Sequence, residues 1–288
     1  MMKLTFRWFS GIAPVMKRIR TMGMAALLLL IATPTFSQGA GIEWDILNQE
    51  AVSLYQKGQY DRAVIVAKKA LGVAEQRVGK NHPDVATSLN ILALLYDTQG
   101  QYAQAEPLYK RSLAIKEKAL GPNHPDVAAS LNNLAELYRI QGQYAQAEPL
   151  YKRSLAILEK ALGPNHPNVA LGLNNLALLY DTQGQYAQAE PLFKRSLAIS
   201  EKALGPDHPS VALSLNNLAE LYDTQGQYAQ AEQLYKRSLA IWEKALGPNH
   251  PNVATSLENM AALNRKTGRN KEAEALEKRA AAIRAIPR

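Results

Sequence analysis

A fixed step of 42 residues governs most of this sequence. Five histidines and six glycines keep that step: His82, His124, His166, His208 and His250, and Gly58, Gly100, Gly142, Gly184, Gly226 and Gly268. A period of this length is typical of tandem structural repeats, in which each unit buries its apolar face against its neighbours only. The period therefore predicts a linear array of repeated units and not a single central core.

The composition is that of an ordered protein, and the net charge gives no indication of nucleic-acid binding. Of the 288 residues, 47% are hydrophobic and 20% are charged, which excludes a disordered or fibrous chain. The formal net charge is +8, but residues 1–40 hold five of the 33 Lys and Arg residues and no acid. The remaining 28 basic residues face 25 acidic ones, a net charge of +3. With so small an excess, we expect no nucleic-acid partner.

The residue types of common catalytic and metal sites are missing or dispersed. The chain has no cysteine, which excludes disulfides, thiolate metal sites and a cysteine nucleophile. Each histidine begins a separate repeat, so its neighbours lie about 20 Å away and cannot share a metal ion. The repeated serines lack a histidine and an acid in triad-like placement, and no glycine-rich phosphate loop is present. We expect no enzymatic activity, no cofactor, no metal and no small-molecule substrate.

The first forty residues differ in kind from the array. A basic segment precedes an apolar run from Met24 to Ala32, and a proline and small residues follow it. The apolar run is shorter than the roughly twenty residues that a membrane-spanning helix needs. The pattern predicts a signal peptide over residues 1–37, cleaved near Ser37, and hence a periplasmic or secreted protein. An uncleaved N-terminal anchor, or a true start at Met16 or Met22, stays open as an alternative.

Each repeat reads as two helices. In the unit that begins at His124, the histidine suits the N-cap and Pro125 suits the first helical position. Apolar residues then form one stripe at three- and four-residue spacing: Leu131, Leu134, Ala135 and Tyr138. Gly142 ends this helix, because glycine adopts the left-handed conformation without strain. A second helix runs from about Tyr144 to Leu162, with Ser154 where only a small side chain lets the helices approach.

The period divides the chain into six repeats after a short linker at residues 38–43. The repeats fill residues 44–284, with boundaries near 44–81, 82–123, 124–165, 166–207, 208–249 and 250–284. The end repeats depart from the pattern, since Glu50 replaces a leucine and Asn264 and Asn270 replace tyrosines. Polar end units are expected, because the two ends of such an array face water.

Pro149 is a local misfit in the second helix. It lies past the first helical position, where its ring crowds the carbonyl four residues earlier, so we expect a kink or a late helix start. Pro107 and Pro191 repeat the feature, whereas Gln233 takes the same place in the next copy. The fold therefore does not depend on this proline.

Together, these motifs resemble a known repeat family. Leu-x-x-Leu-Ala-x-x-Tyr followed by Gly-x-Tyr-x-x-Ala is similar to the tetratricopeptide repeat. The longer unit with His-Pro-Asp-Val-Ala, Leu-Asn-Asn-Leu-Ala and Glu-Lys-Ala-Leu-Gly resembles the kinesin light chain type of that repeat, over residues 44–283. The resemblance implies an all-α, right-handed superhelical solenoid of six helix-turn-helix repeats. It also implies a concave groove, lined by the first helices, that binds a protein or peptide.

One arc of each first helix is the predicted groove floor. At 100° per residue, Asn132, Asn133, Glu136 and Arg139 fall opposite the apolar stripe, together with Ala129 and Ile140. Residues at the position of Glu136 and of Arg139 vary between copies. This variation indicates that the packing positions stay constant while the inner surface differs from repeat to repeat. The predicted groove residues are Asn90, Asn132, Asn133, Glu136, Arg139, Asn174, Asn175, Asp181, Asn216, Asn217, Glu220 and Asp223.

Asparagines stay fixed on this otherwise varying arc. A primary amide offers both a donor and an acceptor, so a row of amides can pair with an extended peptide whatever its sequence, and the resemblance implies the same role. The alternative is that the amides bond between neighbouring helices, and the two roles can coexist. A further variable set on the second helices has no assigned place: Lys116, Leu158, Ser200 and Trp242.

The sequence thus predicts a non-catalytic, exported scaffold that holds an extended segment of a protein or peptide partner. Two alternatives stay open: an accessory or regulatory subunit of an envelope enzyme or secretion complex, and a self-assembling structural protein. We expect membrane contact only through an uncleaved N-terminal segment.

Overall fold

Twelve α-helices and their turns make up residues 39–286, the part that the computed structural model describes. In chain order they are α1 (Ile42–Gln56), α2 (Tyr60–Val78), α3 (Pro83–Thr98), α4 (Tyr102–Leu120), α5 (Pro125–Ile140), α6 (Tyr144–Leu162), α7 (Pro167–Thr182), α8 (Tyr186–Leu204), α9 (Pro209–Thr224), α10 (Tyr228–Leu246), α11 (Pro251–Lys266) and α12 (Asn270–Arg284). Consecutive helices pair as six hairpins. The predicted all-α repeat fold is confirmed, and its first helix begins two residues before the predicted start.

The helices form two compact units, α1–α6 up to residue 164 and α7–α12 from residue 165. In the first unit, a buried cluster joins α2, α3 and α4 through Ala74, Val85, Ala86, Leu89 and Ile115. In the second unit, a buried cluster joins α9 to α12 through Val211, Leu215, Trp242, Val253, Leu257 and Ile283. Each cluster links one hairpin to the next, because a single hairpin cannot bury its own apolar face.

A histidine caps the first helix of every hairpin after α1. Its Nδ1 accepts a hydrogen bond from the backbone N–H two residues later, at 3.1–3.2 Å, in His82, His124, His166, His208 and His250. The acceptor is a neutral imidazole nitrogen, and proline follows at the first helical position. The predicted capping role is confirmed.

The turn between the helices of a hairpin is closed by two backbone hydrogen bonds around glycine. At the end of α5, the N–H of Gly142 donates to the carbonyl of Arg139, and that of Gln143 donates to Tyr138. Gly142 has a φ of 74°, which a side chain would strain, and the pattern is that of a Schellman motif. This glycine therefore ends the first helix where the sequence predicted.

A buried serine joins the two helices of each of four hairpins. The hydroxyls of Ser112, Ser154, Ser196 and Ser238 donate to the carbonyls of Ala86, Ala128, Ala170 and Ala212 at 2.7–2.8 Å. The sequence predicted a small residue here, which is confirmed. The hydrogen bond explains why serine rather than alanine occupies the site, since it satisfies a buried hydroxyl.

Two local expectations need correction. Helix α6 begins at Tyr144 and continues through Pro149 to Leu162, so the late helix start is wrong, and the expected kink stays a prediction. Pro149 removes only the bond to the carbonyl of Ala145, and both residues are exposed, so water can replace the lost donor. Asn264 does not face water, because it is buried at the end of α11.

Within residues 39–286, no helix has the length and apolar character needed to cross a bilayer. The predicted signal peptide at residues 1–37 lies outside the described residues.

In α4, α8 and α10, an acidic residue near the start of the second helix contacts the next hairpin. The Tyr138 hydroxyl donates to Glu106, and the Tyr222 hydroxyl donates to Glu190, each at 3.0 Å. In the last repeat, Asn264 replaces the tyrosine, and Arg269 binds Glu232 at 2.8–2.9 Å instead. A guanidinium thus takes the place of the missing hydroxyl.

Replacing His208 with alanine removes the cap of α9, and we expect it to lower the free energy of unfolding by about 1 kcal/mol. The H208N variant keeps a side-chain acceptor and is expected to stay within about 0.5 kcal/mol of the parent. Urea unfolding followed by circular dichroism measures both. Equal losses in the two variants would contradict the capping role.

The second unit should lose stability in acid through Glu232. Hydrogen bonds from Arg269 and Lys236 lower the pKa of Glu232 from 4.5 to about 2. Because its pKa is lower in the folded state than in the unfolded state, this stabilisation is complete above pH 4.5 and is lost as the pH falls towards 2. Thermal unfolding across this pH range should show a shallower decline for E232Q than for the parent.

Candidate functional site

The predicted arc of the first helices is more deeply covered than a groove floor was expected to be. On α5, the apolar stripe is buried as predicted, and Asn132, Asn133 and Arg139 on the opposite arc are also only 4–6% exposed. Asn174, Asn175, Asn216 and Asn217 of the second unit are similarly buried. Glu136, Asp181 and Glu220 are half-buried. The reason is that successive first helices approach each other along this arc and make direct side-chain contacts.

Asparagine side chains bond across successive first helices. In the first unit, Asn133 Nδ2 on α5 donates to Asn90 Oδ1 on α3 at 2.9 Å. In the second unit, Asn217 donates to Asn174 at 2.8 Å, and Asn259 donates to Asn216 at 3.1 Å. The donor always lies 43 residues after the acceptor. The structural role of the amides, which the sequence left open, therefore exists.

The bond between Asn133 and Asn90 uses only part of what these two amides offer. Asn90 accepts through its oxygen, is half-buried, and has no partner for its NH₂ group within the described residues. The oxygen of Asn133 is buried and accepts no hydrogen bond there. The Asn90–Asn133 pair thus keeps one donor group that the chain itself does not use.

Glu136 and Arg139 form a network inside their own hairpin. The Arg139 guanidinium donates through Nε and Nη2 to the two carboxylate oxygens of Glu136, at 2.8 and 2.6 Å. The buried Tyr151 hydroxyl on α6 donates to the same carboxylate at 2.6 Å. Burial would lower the pKa of Arg139, but Glu136 and Tyr151 raise it above its usual value. Burial, and then the Glu136 charge, raise the pKa of Tyr151.

The equivalent positions in other repeats change together. Leu178 occurs with Phe193, so that repeat lacks both the carboxylate and the hydroxyl, whereas Glu220 occurs with Tyr235. In the last repeat, Arg265 binds Glu277 on α12 at 2.7–2.8 Å, so the carboxylate that pairs with the arginine lies on the second helix instead of the first. The repeat with Leu94 keeps Tyr109, whose buried hydroxyl accordingly has no partner in the described residues. The residue at the position of Glu136 therefore determines contacts within its own hairpin.

Asp223 is a predicted groove residue that forms an ion pair with the next first helix. Its Oδ2 binds Lys266 Nζ on α11 at 2.7 Å, and the lysine side chain is 46% exposed. The pair lies at the same end of the arc as Asp181 on α7. The arc of the second unit thus places carboxylates beside the exposed Lys266.

The variable position on the second helices lies where one hairpin meets the next. Trp242 is buried against α11, in the cluster that contains Val253 and Leu257. Burial lowers the pKa of Lys116 at the equivalent position, and Asp126 on α5 opposes that shift. The sequence did not place this position, because its polarity differs in every copy and leaves no apolar period to read.

No group of three or more His, Asp or Glu side chains in residues 39–286 is arranged to hold a metal ion. The five histidines lie at separate helix starts and serve as caps.

Comparison with known proteins gives the family. The family model for the tetratricopeptide repeat matches residues 45–118, 99–160, 126–202, 169–244 and 224–285. The chain belongs to the tetratricopeptide repeat family. Proteins with this repeat generally mediate protein–protein interactions, and the fold is typically a non-catalytic scaffold. No curated protein matches the chain.

Solved structures with the same fold include proteins of the kinesin light chain type. A Podosopora anserina protein described as a kinesin light chain with nearly identical TPR-like repeats is 31% identical, with a TM-score of 0.57, over 70% of this chain and 96% of that chain. BtubC (BKLC) from P. vanneervenii is 26% identical, with a TM-score of 0.61, over 84% and 95%. Pseudomonas aeruginosa PilF, at 23% identity and a TM-score of 0.52 over 81% and 88%, shares the fold alone.

The Glu136 network can be tested by exchange between repeats. We expect E136L to lower the free energy of unfolding by about 3–5 kcal/mol, since it leaves a buried guanidinium and hydroxyl without their acceptor. The triple variant E136L/R139D/Y151F copies the set found at 178, 181 and 193, and it should recover most of that loss. Urea unfolding measures both variants. A triple variant no more stable than E136L would refute this account.

Proposed function

We propose that this protein is a scaffold that holds an extended segment of a partner protein along the first helices. The observations that carry the proposal are the asparagine pair between α3 and α5 in the first unit and the pair between α7 and α9 in the second unit. In each of these two pairs, one amide accepts through its oxygen and the other donates one N–H. Asn90 is half-buried and keeps an NH₂ group that can donate to a peptide backbone.

The physical advantage of amides here is that they recognise backbone and not sequence. An extended peptide presents alternating N–H and C=O groups, and a primary amide can meet either one. The bonds between helices also hold each amide in one orientation, so less side-chain entropy is lost on binding. Specificity would then come from neighbours that differ between repeats, among them Glu220, Asp223 and Lys266.

We also propose that the protein acts outside the cytoplasm. Support comes from the basic segment, short apolar run and small residues of residues 1–37, which match a signal peptide in order and length. Mass spectrometry of the protein isolated from its native cells tests this, since export predicts a mature chain beginning near Gln38. An intact N-terminus on a cytoplasmic protein would refute it.

Two aspartate substitutions separate binding from folding, because each changes one amide of the same hydrogen bond. N90D keeps the acceptor for Asn133 and loses only the outward NH₂ group, so stability should stay within about 1 kcal/mol while affinity falls at least about tenfold. N133D instead sets two acceptors against each other and should cost about 1–3 kcal/mol in stability. Peptides selected from a random library on the purified protein, followed by calorimetry, give the affinities.

The matched control for the added charge is A114D, at an exposed position of α4 away from the arc of the first helices. It should leave affinity within about twofold of the parent. An N90D variant with full affinity, or an equal loss in A114D and N90D, would contradict recognition by the amide.

A further inference from the structure

The first helix exposes two isoleucines at an end of the array that was expected to be polar. Ile42 and Ile46 are 78% and 57% exposed, and they lie one turn apart on the same side of α1. The last helix meets the expectation, because the exposed side chains of α12 are alanines, charged residues and Asn270. The first hairpin therefore carries an apolar surface that the last helix lacks.

Ile46 occupies a position that, in the next repeat, faces the preceding hairpin. The residue 42 positions later is Ser88 on α3, which is fully buried. Its hydroxyl accepts a hydrogen bond from Trp44 Nε1 at 2.8 Å and donates to Asn48 Oδ1 at 3.3 Å, both on α1. The described residues contain no hairpin before α1, so Ile46 is exposed where Ser88 is covered.

Glu50 and Lys69 lie on the same side of this hairpin and carry opposite charges on different helices. Glu50 follows Ile46 by one turn of α1. The counterpart of Lys69 in the next repeat is Arg111, which binds Glu75 of the preceding second helix at 2.7 Å. Glu50 and Lys69 are both exposed, and neither forms an ion pair within residues 39–286.

Val73 follows Lys69 by one turn of α2 and completes this surface. It is half-buried, whereas Ile115 at the same position in the next repeat is only 5% exposed. The backbone N–H of Ala40 donates to Asp84 on α3 at 2.8 Å, so the chain just before α1 lies against the second hairpin and leaves this surface uncovered. We call the surface the first face: Ile42, Ile46, Glu50, Lys69 and Val73.

We propose that the first face binds the first face of a second copy of this chain. In the next repeat a helical hairpin covers the equivalent positions, so a hairpin is the partner shape that fits. A twofold interface needs a surface that complements itself, and the first face does so, because its acid and its base lie on different helices. With the twofold axis parallel to the helices, α1 of each copy packs against α2 of the other. A contact with α12 would instead set charged side chains against the isoleucines.

The charges and the registers of the two helices fit this packing. Helix α1 contains three acidic residues and no basic one, whereas α2 contains four basic and two acidic residues. Counted from Gly58 in the turn, Glu50 lies eight residues before and Lys69 eleven after. At 1.5 Å per residue their heights differ by about 5 Å, which two long side chains can span. Ile42 lies 16 residues before Gly58 and Val73 lies 15 after, so these apolar side chains meet at nearly the same height.

The apolar contact is tested by restoring the residues of the next repeat. I42D/I46S places the side chains of Asp84 and Ser88 at the two positions, and the aspartate lies in the first turn of α1, where negative charge is favourable. We expect the dissociation constant of the dimer to rise at least about tenfold, because less apolar area leaves water on association. The melting temperature of the dilute, monomeric protein should change by less than about 2 °C.

Sedimentation equilibrium of the protein purified from its native cells measures the association. The control is I65S, because Ile65 is 69% exposed at a position that stays exposed in the next repeats, at Pro107 and Pro149. I65S should change the dissociation constant by less than about twofold. A monomeric parent, assembly beyond the dimer, or equal dissociation constants for I65S and I42D/I46S would overturn the proposal.

The packing of α1 against α2 is tested by exchanging charges. E50K and K69E each set like charges against each other across the interface, so each variant alone should associate about fivefold more weakly than the parent at low salt. In an equimolar mixture, every changed residue meets an opposite charge on the other variant, so association should return to that of the parent. Single variants that associate as tightly as the parent would refute this packing.

This inference is independent of the proposed peptide site, because the first face does not include the arc of α3 and α5. I42D/I46S should leave peptide affinity unchanged, and N90D should leave dimerisation unchanged.

Discussion

The close approach of the two helices within each hairpin is the constraint on which the other contacts depend. Ser154 donates to the Ala128 carbonyl, and Ala147 on the same helix is fully buried. This contact fixes the position of the first helix relative to the second. The side chains that contact the next hairpin then occupy the same helix positions in every repeat, since the sequence repeats every 42 residues. The apolar clusters between hairpins form because of that register.

The same register explains why the inner arc carries paired amides. Since successive first helices lie side by side, a short polar side chain on one reaches its counterpart on the next, as Asn133 reaches Asn90. Asparagine is a poor helix former and would be a cost on an isolated helix. Here the hydrogen bond between helices offsets that cost and still leaves the NH₂ group of Asn90 unused within the described residues. A peptide-binding role and a structural role are therefore compatible in the same residue.

Variation between the repeats is constrained by contacts within each hairpin. Glu136 with Tyr151, and Leu178 with Phe193, are two complete solutions at one site, because the Tyr151 hydroxyl has a carboxylate to accept from it and Phe193 has no hydroxyl to satisfy. Tyr109 beside Leu94 is the exception, with a buried hydroxyl that has no acceptor. Positions whose variation could suit a partner protein must therefore be distinguished from positions that vary together to keep a contact within one hairpin. Asp223 with Lys266 joins two first helices and belongs to neither set.

The sequence alone determined the fold class, the helix boundaries, the histidine caps and the small packing residue, because each depends on local spacing or on the 42-residue period. Only the tertiary structure decided that Glu136 and Arg139 turn into their hairpin and that Asn133 bonds to Asn90. It also decided that Trp242 lies between hairpins and that Pro149 lies within an unbroken helix. A helical wheel gives the side on which a residue lies, but not how close the neighbouring helix comes or which side chain it brings. That distance is set by packing between hairpins, which no local pattern records.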